Sequence, residues 1–205
     1  ATAPKTLDPA RAYSSNEIQF IAQIYEPPLQ YHFLERPYRL VPLAASVMPD
    51  VAYFTKAGVK LPSDVNPHEV AYSVYTITIK KGVHYQPHPA FAKKQDGSFV
   101  YHALNEEDLG DVYALSDFDK TGTRELTAAD YVYQIKRLAH PGLSSPIFGL
   151  MSEHIVGLGD YARVLRSASK KAIRDNNDEP FLDLRLHPLE GVHVLSRYQY
   201  QIKIK

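Results

Sequence analysis

The residues with the clearest capacity for chemistry open the stretch DFDKTGTRELTAADYVYQIKRL, Asp117 to Leu138. Asp117-x-Asp119-x-Thr121-Gly122 has the oxygen-donor spacing of the first half of a calcium loop, and a twelve-residue loop would place Glu125 ninth. The last position of such a loop needs a bidentate glutamate, and here it is Ala128. An ion would lose two oxygens and much of the balancing charge. The pattern therefore predicts an Asp/Gly turn that delivers the chain into a helix, with no metal. The histidines give a second candidate. His84 and His88 have the i, i+4 spacing of a helical metal pair, with His102 near in sequence. Pro87 and Pro89 forbid a helix there, so the spacing loses its geometric meaning and loop histidines are expected.

Catalytic patterns are sparse. The chain has no G-x-S-x-G, P-loop, G-x-G-x-x-G or H-E-x-x-H. Glu106-Glu107 lies in a polar run and reads as solvated surface. Lys170, Lys171 and Arg174 stand near a helix end, where the helix dipole accounts for them without a partner. No cysteine is present, which removes disulfides, zinc-thiolate sites and thiol nucleophiles together.

The elements that must position these residues follow from periodicity. Residues 1–13 read as an extended stretch, after which Ser14 and Ser15 can cap a helix to about Glu26. Ile18, Ile21, Ile24 and Tyr25 share one face of it, and Pro27-Pro28 stops it. Residues 29–70 carry prolines throughout and read as irregular. AYSVYTITIKKG alternates as a strand, with Tyr75, Ile77 and Ile79 on one side and Val74, Thr76 and Thr78 on the other. A hairpin turn is expected at Asp96-Gly97, with SFVYHAL as its second strand, and LGDVYALS could form a short helix. Thr127-Ala-Ala-Asp130 opens a helix to about Ala139, with Val132, Ile135 and Leu138 inward. Helical pattern resumes over 147–155 and 160–174, and GVHVLSRYQYQIKIK alternates twice around Ser196-Arg197 as a hairpin. Helices and strands interleave without a regular βαβ rhythm, so the expected fold is α+β or mixed α/β.

The 205 residues suffice for one domain or two small lobes, and Lys plus Arg (23) balances Asp plus Glu (23). Such a neutral chain gives no electrostatic reason to expect nucleic acid. No apolar run reaches the roughly 18 residues of a membrane span, and ATAPKTLDPA does not read as a signal peptide. Fifteen tyrosines and no tryptophan suit surfaces that present both a flat apolar face and a polar tip.

Five stretches, taken in order, resemble one family. TLDPARAYSSNEIQFIAQIYEPPL is similar to the Leu-Asp-Pro turn and the helix ending in Tyr-Glu-Gly-Leu that open the family 5 extracellular solute-binding proteins, with Pro27-Pro28 in place of the glycine. RLVPLAASVMP, VYTITIKKGVHY, LTAADYVYQIKRLAHP and GVHVLSRYQYQIKIK resemble that family's later segments. These are the dipeptide- and oligopeptide-binding components of ABC importers. The resemblance implies the N-terminal lobe portion of a two-lobed, type II-like periplasmic-binding fold. Residues 1–205 would be its N-terminal part, interrupted by an insertion at about 86–126, with the remaining lobe outside this chain. It implies a monomeric, non-enzymatic protein without a cofactor, periplasmic or extracellular and membrane-associated, capturing peptides or another small solute for a permease in the cytoplasmic membrane. In peptide-binding members the chain after Leu-Asp-Pro lies along the ligand, which carries over to Tyr13, Ser14 and Ser15. Helix capping explains the two serines equally well. The segment after the Thr-Ala helix, Ser144-Ser145-Pro146-Ile147, also reaches the cleft, with Ile147 where peptide binders often place tyrosine. The alternative is a metal-dependent or protein-interaction module built on 86–126.

Overall fold

Two carboxylates start the two helices that matter most for the site. Helix α1 spans Ser15–Ile24, with Ser14 as its extended N-cap. Glu17 reaches back so that its Oε2 accepts from the amides of Tyr13 and Ser14, both at 3.0 Å. Helix α2 spans Ala128–Arg137, and Asp130 Oδ2 accepts from the Thr127 amide at 2.8 Å and its hydroxyl at 2.9 Å. Both are capping boxes, which satisfy backbone donors that a helix start leaves without partners. The structure, a computed structural model, describes residues 3–102, 104–176 and 181–205.

The chain divides into two compact units. One comprises 1–80 and 127–205, and the other is the continuous stretch 81–126. In the first, strands β1 (Leu29–Tyr31) and β2 (Leu40–Pro42) form a small antiparallel ladder. Strands β3 (Asp50–Phe54), β4 (Lys60–Leu61), β5 (Tyr72–Thr78), β6 (Val192–Ser196) and β7 (Gln199–Ile204) form an antiparallel sheet ordered β4-β3-β5-β7-β6. The register pairs Val51 with Tyr75 and Ile77 with Tyr200. A bulge between Val194 and Ser196 interrupts the last hairpin. Helices α3 (Phe148–His154) and α4 (Leu158–Asn176) complete the unit.

The core forms where α2 lies against β6 and β7. Tyr131 of α2 stacks on Tyr200 of β7, with centroids 5.6 Å apart and rings 8° from parallel. Ile77, Ile79, Val192 and Tyr200 are buried on the sheet. Leu158, Tyr161, Ala162 and Leu165 of α4 are buried at three- and four-residue steps, the stripe by which a surface helix joins a core. The other face of β5 stays half-buried, with Thr76 and Thr78 side chains accepting from Gln201 and Gln199 of β7. One solvated face is ordinary for an antiparallel sheet.

The second unit, 81–126, is held by isolated bridges, His84 to Glu125, His88 to Gly122 and Lys93 to Phe99, rather than by ladders. Its centre is aromatic. The Arg124 guanidinium lies 4.7 Å from the Tyr85 ring and 5.3 Å from Phe91, and Tyr101 meets Phe118 edge-on at 4.9 Å.

Several expectations need correction. Residues 29–70 are not irregular: they contain β1 to β4. Helix α1 ends at Ile24, two residues early, and of its expected inward face only Ile21 is buried, while Ile18, Ile24 and Tyr25 are exposed. The inward positions are Glu17 and Ile21, so a carboxylate shares the buried face and accepts the amides at the helix start. The turn at Asp96-Gly97 forms, with Gly97 at φ +84, but SFVYHAL gives one bridge at Phe99 and no strand. Ala103 of that segment and residues 1–2 of the extended start lie outside the described residues. LGDVYALS forms turns that lead into a 3-10 turn at Leu115–Asp117, not a helix.

Candidate functional site

The Leu-Asp-Pro turn is built around Asp8. Its backbone carbonyl accepts from the Arg11 and Ala12 amides, and its Oδ1 accepts from the Ala10 amide at 3.0 Å. The same carboxylate meets a guanidinium from the end of α2. Arg137 donates from Nη1 to Oδ1 at 2.9 Å and from Nη2 to Oδ2 at 2.5 Å. This is the two-pronged geometry that makes arginine–carboxylate pairs directional. Gln134 Oε1 accepts a further bond from Nη1 at 2.9 Å and steadies the guanidinium. Burial alone would raise the Asp8 carboxyl, but the bonds from Arg137 and the Ala10 amide hold it below its ordinary value.

Ala10 and Ala12 are buried, and Glu17 is buried four residues beyond Tyr13. Between these anchors the chain emerges: Tyr13 is 76% exposed, and Ser14 and Ser15 are exposed beside it. The Ser14 side chain and the Tyr13 and Ser14 amides converge on Glu17, and these bonds lower its carboxyl to about 2. Sequence reasoning named Tyr13 to Ser15 but missed both groups that hold them. Leu-Asp-Pro and the arginine of the later helix were each visible; only folding shows that they meet across 129 residues.

Ile147 lies elsewhere in the same unit, at the N-cap of α3. It is half-buried at the end of a strained connection, since Ser144 adopts φ +49 without being glycine. The Ser145 hydroxyl next to it is buried without a hydrogen-bond partner. Among the described residues no hydrogen bond joins Ile147 to Tyr13, Ser14 or Ser15. A concavity of about 750 Å³ borders the β1–β2 hairpin, where Arg36 lies over Tyr38, and another of about 320 Å³ lies on the sheet near Tyr72 and Lys203. None of Tyr13, Ser14, Ser15 and Ile147 lines either one.

Asp117, Gly122, His84 and His88, among the groups first considered for metal, have backbone roles. Asp117 Oδ2 accepts from the amides of Tyr113 and Ala114, closing its own 3-10 turn, and those bonds lower its carboxyl. Gly122 permits a close crossing: a Cβ there would stand 2.2 Å from the Phe91 carbonyl oxygen. His84 Nδ1 lies 2.9 Å from the Gly82 carbonyl, and His88 Nδ1 accepts from the Ala90 amide. Among the described residues no three His, Asp or Glu side chains gather in a way that could hold a metal ion. No helix among them is long and apolar enough to cross a membrane.

No protein-family model matches the chain, and no curated protein matches it in sequence. Solved structures do match in shape. The pheromone receptor PrgZ, described for its mode of peptide binding, aligns with 99% of this chain at TM-score 0.50 and 19% identity. Also similar are Listeria monocytogenes OppA bound to peptide (TM-score 0.49, 14% identity) and the periplasmic murein tripeptide-binding protein MppA in its unliganded open form (0.48, 18%), each aligning with 99% of this chain. The chain spans about a quarter of the length of each. The fold is mixed α/β, and the alignment with PrgZ shows it to match a fragment of the solute-binding-protein fold.

Proposed function

We propose that this chain is the N-terminal part of a two-lobed substrate-binding component of an ABC importer, and that the protein captures di- or oligopeptides outside the cytoplasmic membrane. The observation that carries the reading is the alignment of nearly the whole chain with a peptide-binding receptor. The exposed stretch Tyr13 to Ser15, held at both ends, is what supports a ligand role for those residues. Tyr13 would offer its ring face to an apolar side chain and its hydroxyl to a polar one. Ser14 and Ser15 would bond the peptide backbone, and Ile147 would add an apolar contact. Binding here is recognition without bond making, so the protein is a carrier and not an enzyme. The ligand would be enclosed when the second lobe closes over it, and the closed form would be the one a permease accepts.

Thermal unfolding of the full-length protein carrying this chain tests the reading. Saturation with a pool of synthetic di-, tri-, tetra- and pentapeptides should raise the melting temperature, since ligand at about 100 times Kd stabilises by ~2.7 kcal/mol. No shift with any peptide would contradict it.

A second reading is supported by one observation. Residues 81–126 form a compact unit of their own, with Tyr113 88% exposed and Leu115 58% exposed. A protein contact made by this unit is compatible with peptide capture by the other.

A further inference from the structure

Two ligand-facing segments are proposed above, and Arg137 stands at the root of both. It is the last residue of α2, so the connection leading to Ser144 and Ile147 begins one residue beyond it. Its guanidinium grips both oxygens of Asp8, the residue that turns the chain toward Tyr13. Leu138 and Ala139, which follow it, are buried and fix the start of the second segment. On the far side of Tyr13, Glu17 accepts the Tyr13 and Ser14 amides. The exposed stretch is thus tied to α2 at one end and to the start of α1 at the other.

We infer that Arg137 is a positioning residue for ligand capture, setting the Tyr13–Ser15 stretch in a fixed place relative to the segment that ends at Ile147. The inference rests on the peptide-binding reading and adds to it a residue that touches no ligand. The physical ground is preorganisation. A segment already ordered before binding does not spend interaction energy on being ordered, so the same contacts give tighter binding. A two-pronged pair also fixes orientation, which a single lysine contact does not.

The test uses the full-length protein and two readouts. The first is affinity for the peptide pool used above; the second is amide hydrogen exchange at Tyr13, Ser14 and Ser15. Arg137→Met keeps much of the side chain's volume and removes the fork. It should weaken peptide binding by about tenfold or more and speed exchange at those amides, while protection in β5 and β7 is kept. Arg137→Lys keeps the charge alone and should fall between Arg137→Met and the wild type. Glu17→Gln, acting on the other anchor, should speed exchange at Tyr13 and Ser14 without disturbing Asp8. Wild-type protein that binds the pool, with Arg137→Met binding equally well, would overturn the inference and leave the peptide reading standing. Wild-type protein that binds nothing in the pool would overturn both. If Arg137→Met lowers the melting temperature but changes neither affinity nor exchange at Tyr13–Ser15, the pair is structural and the inference fails.

Discussion

At the scale of single residues, the most consequential side chains are acids that hold backbone. Glu17 accepts amides at the start of α1, Asp130 does the same for α2, and Asp117 closes a turn in the second unit. Glu17 and Asp117 are stabilised as carboxylates by the donors around them. Glu17 gives a pH prediction with a definite sign. Its carboxyl lies at about 2 in the folded chain against an ordinary 4.5. A depressed value means that the unfolded chain takes up a proton first as the pH falls, so the stabilisation is complete above about pH 4.5 and is lost toward pH 2. Glu17→Gln should therefore melt below the wild type at pH 7, and the gap should close as the pH falls through that window. Melting curves of the two proteins from pH 7 to about pH 2 read this directly. A gap that does not narrow in acid would mean that the carboxylate's charge is not what matters.

At the scale of elements, legibility followed local chemistry. The start of α2 was readable because Thr127 and Asp130 are a capping pair three residues apart, and β5 because its alternation is uninterrupted. The β6–β7 hairpin was readable for the same reason. Strand β3 was not. Its five residues follow Pro49, and their pairing partners in β5 begin eighteen residues on, so the strand is specified by tertiary contact rather than by local pattern. The α1 face misled because the buried acid Glu17 shares the inward face with Ile21, while three apolar positions, Ile18, Ile24 and Tyr25, are exposed. Its energetic reason is the set of backbone donors that the acid satisfies. The stretch proposed to face the ligand was singled out only through family resemblance, and its anchoring pair Asp8–Arg137 was not legible at all. Helix α4 gives the element-scale prediction. Leu165 is fully buried, while its neighbour Val164 is half exposed. Leu165→Ala should cost ~2–5 kcal/mol of unfolding free energy, the range for emptying a core leucine site. Val164→Ala should stay within ~0.5 kcal/mol, as surface changes do. Equal losses in urea melts of the two variants would contradict the placement of α4.

At the scale of the whole molecule, the chain is one compact unit interrupted by another. The sheet, α2 and α4 make up the core of the first unit, and the candidate ligand stretch is exposed. Tyr13, Ser14, Ser15 and Ile147 line neither of the two concavities. Under the proposed reading, a second lobe would complete the cleft over this stretch. It also explains why affinity should be sought in the full-length protein. The most direct measurement is native mass spectrometry of that protein, freshly purified, to weigh whatever it carries. The account predicts a heterogeneous set of bound masses differing by amino-acid residues. A single non-peptide mass, or an empty protein that also ignores added peptides, would contradict it.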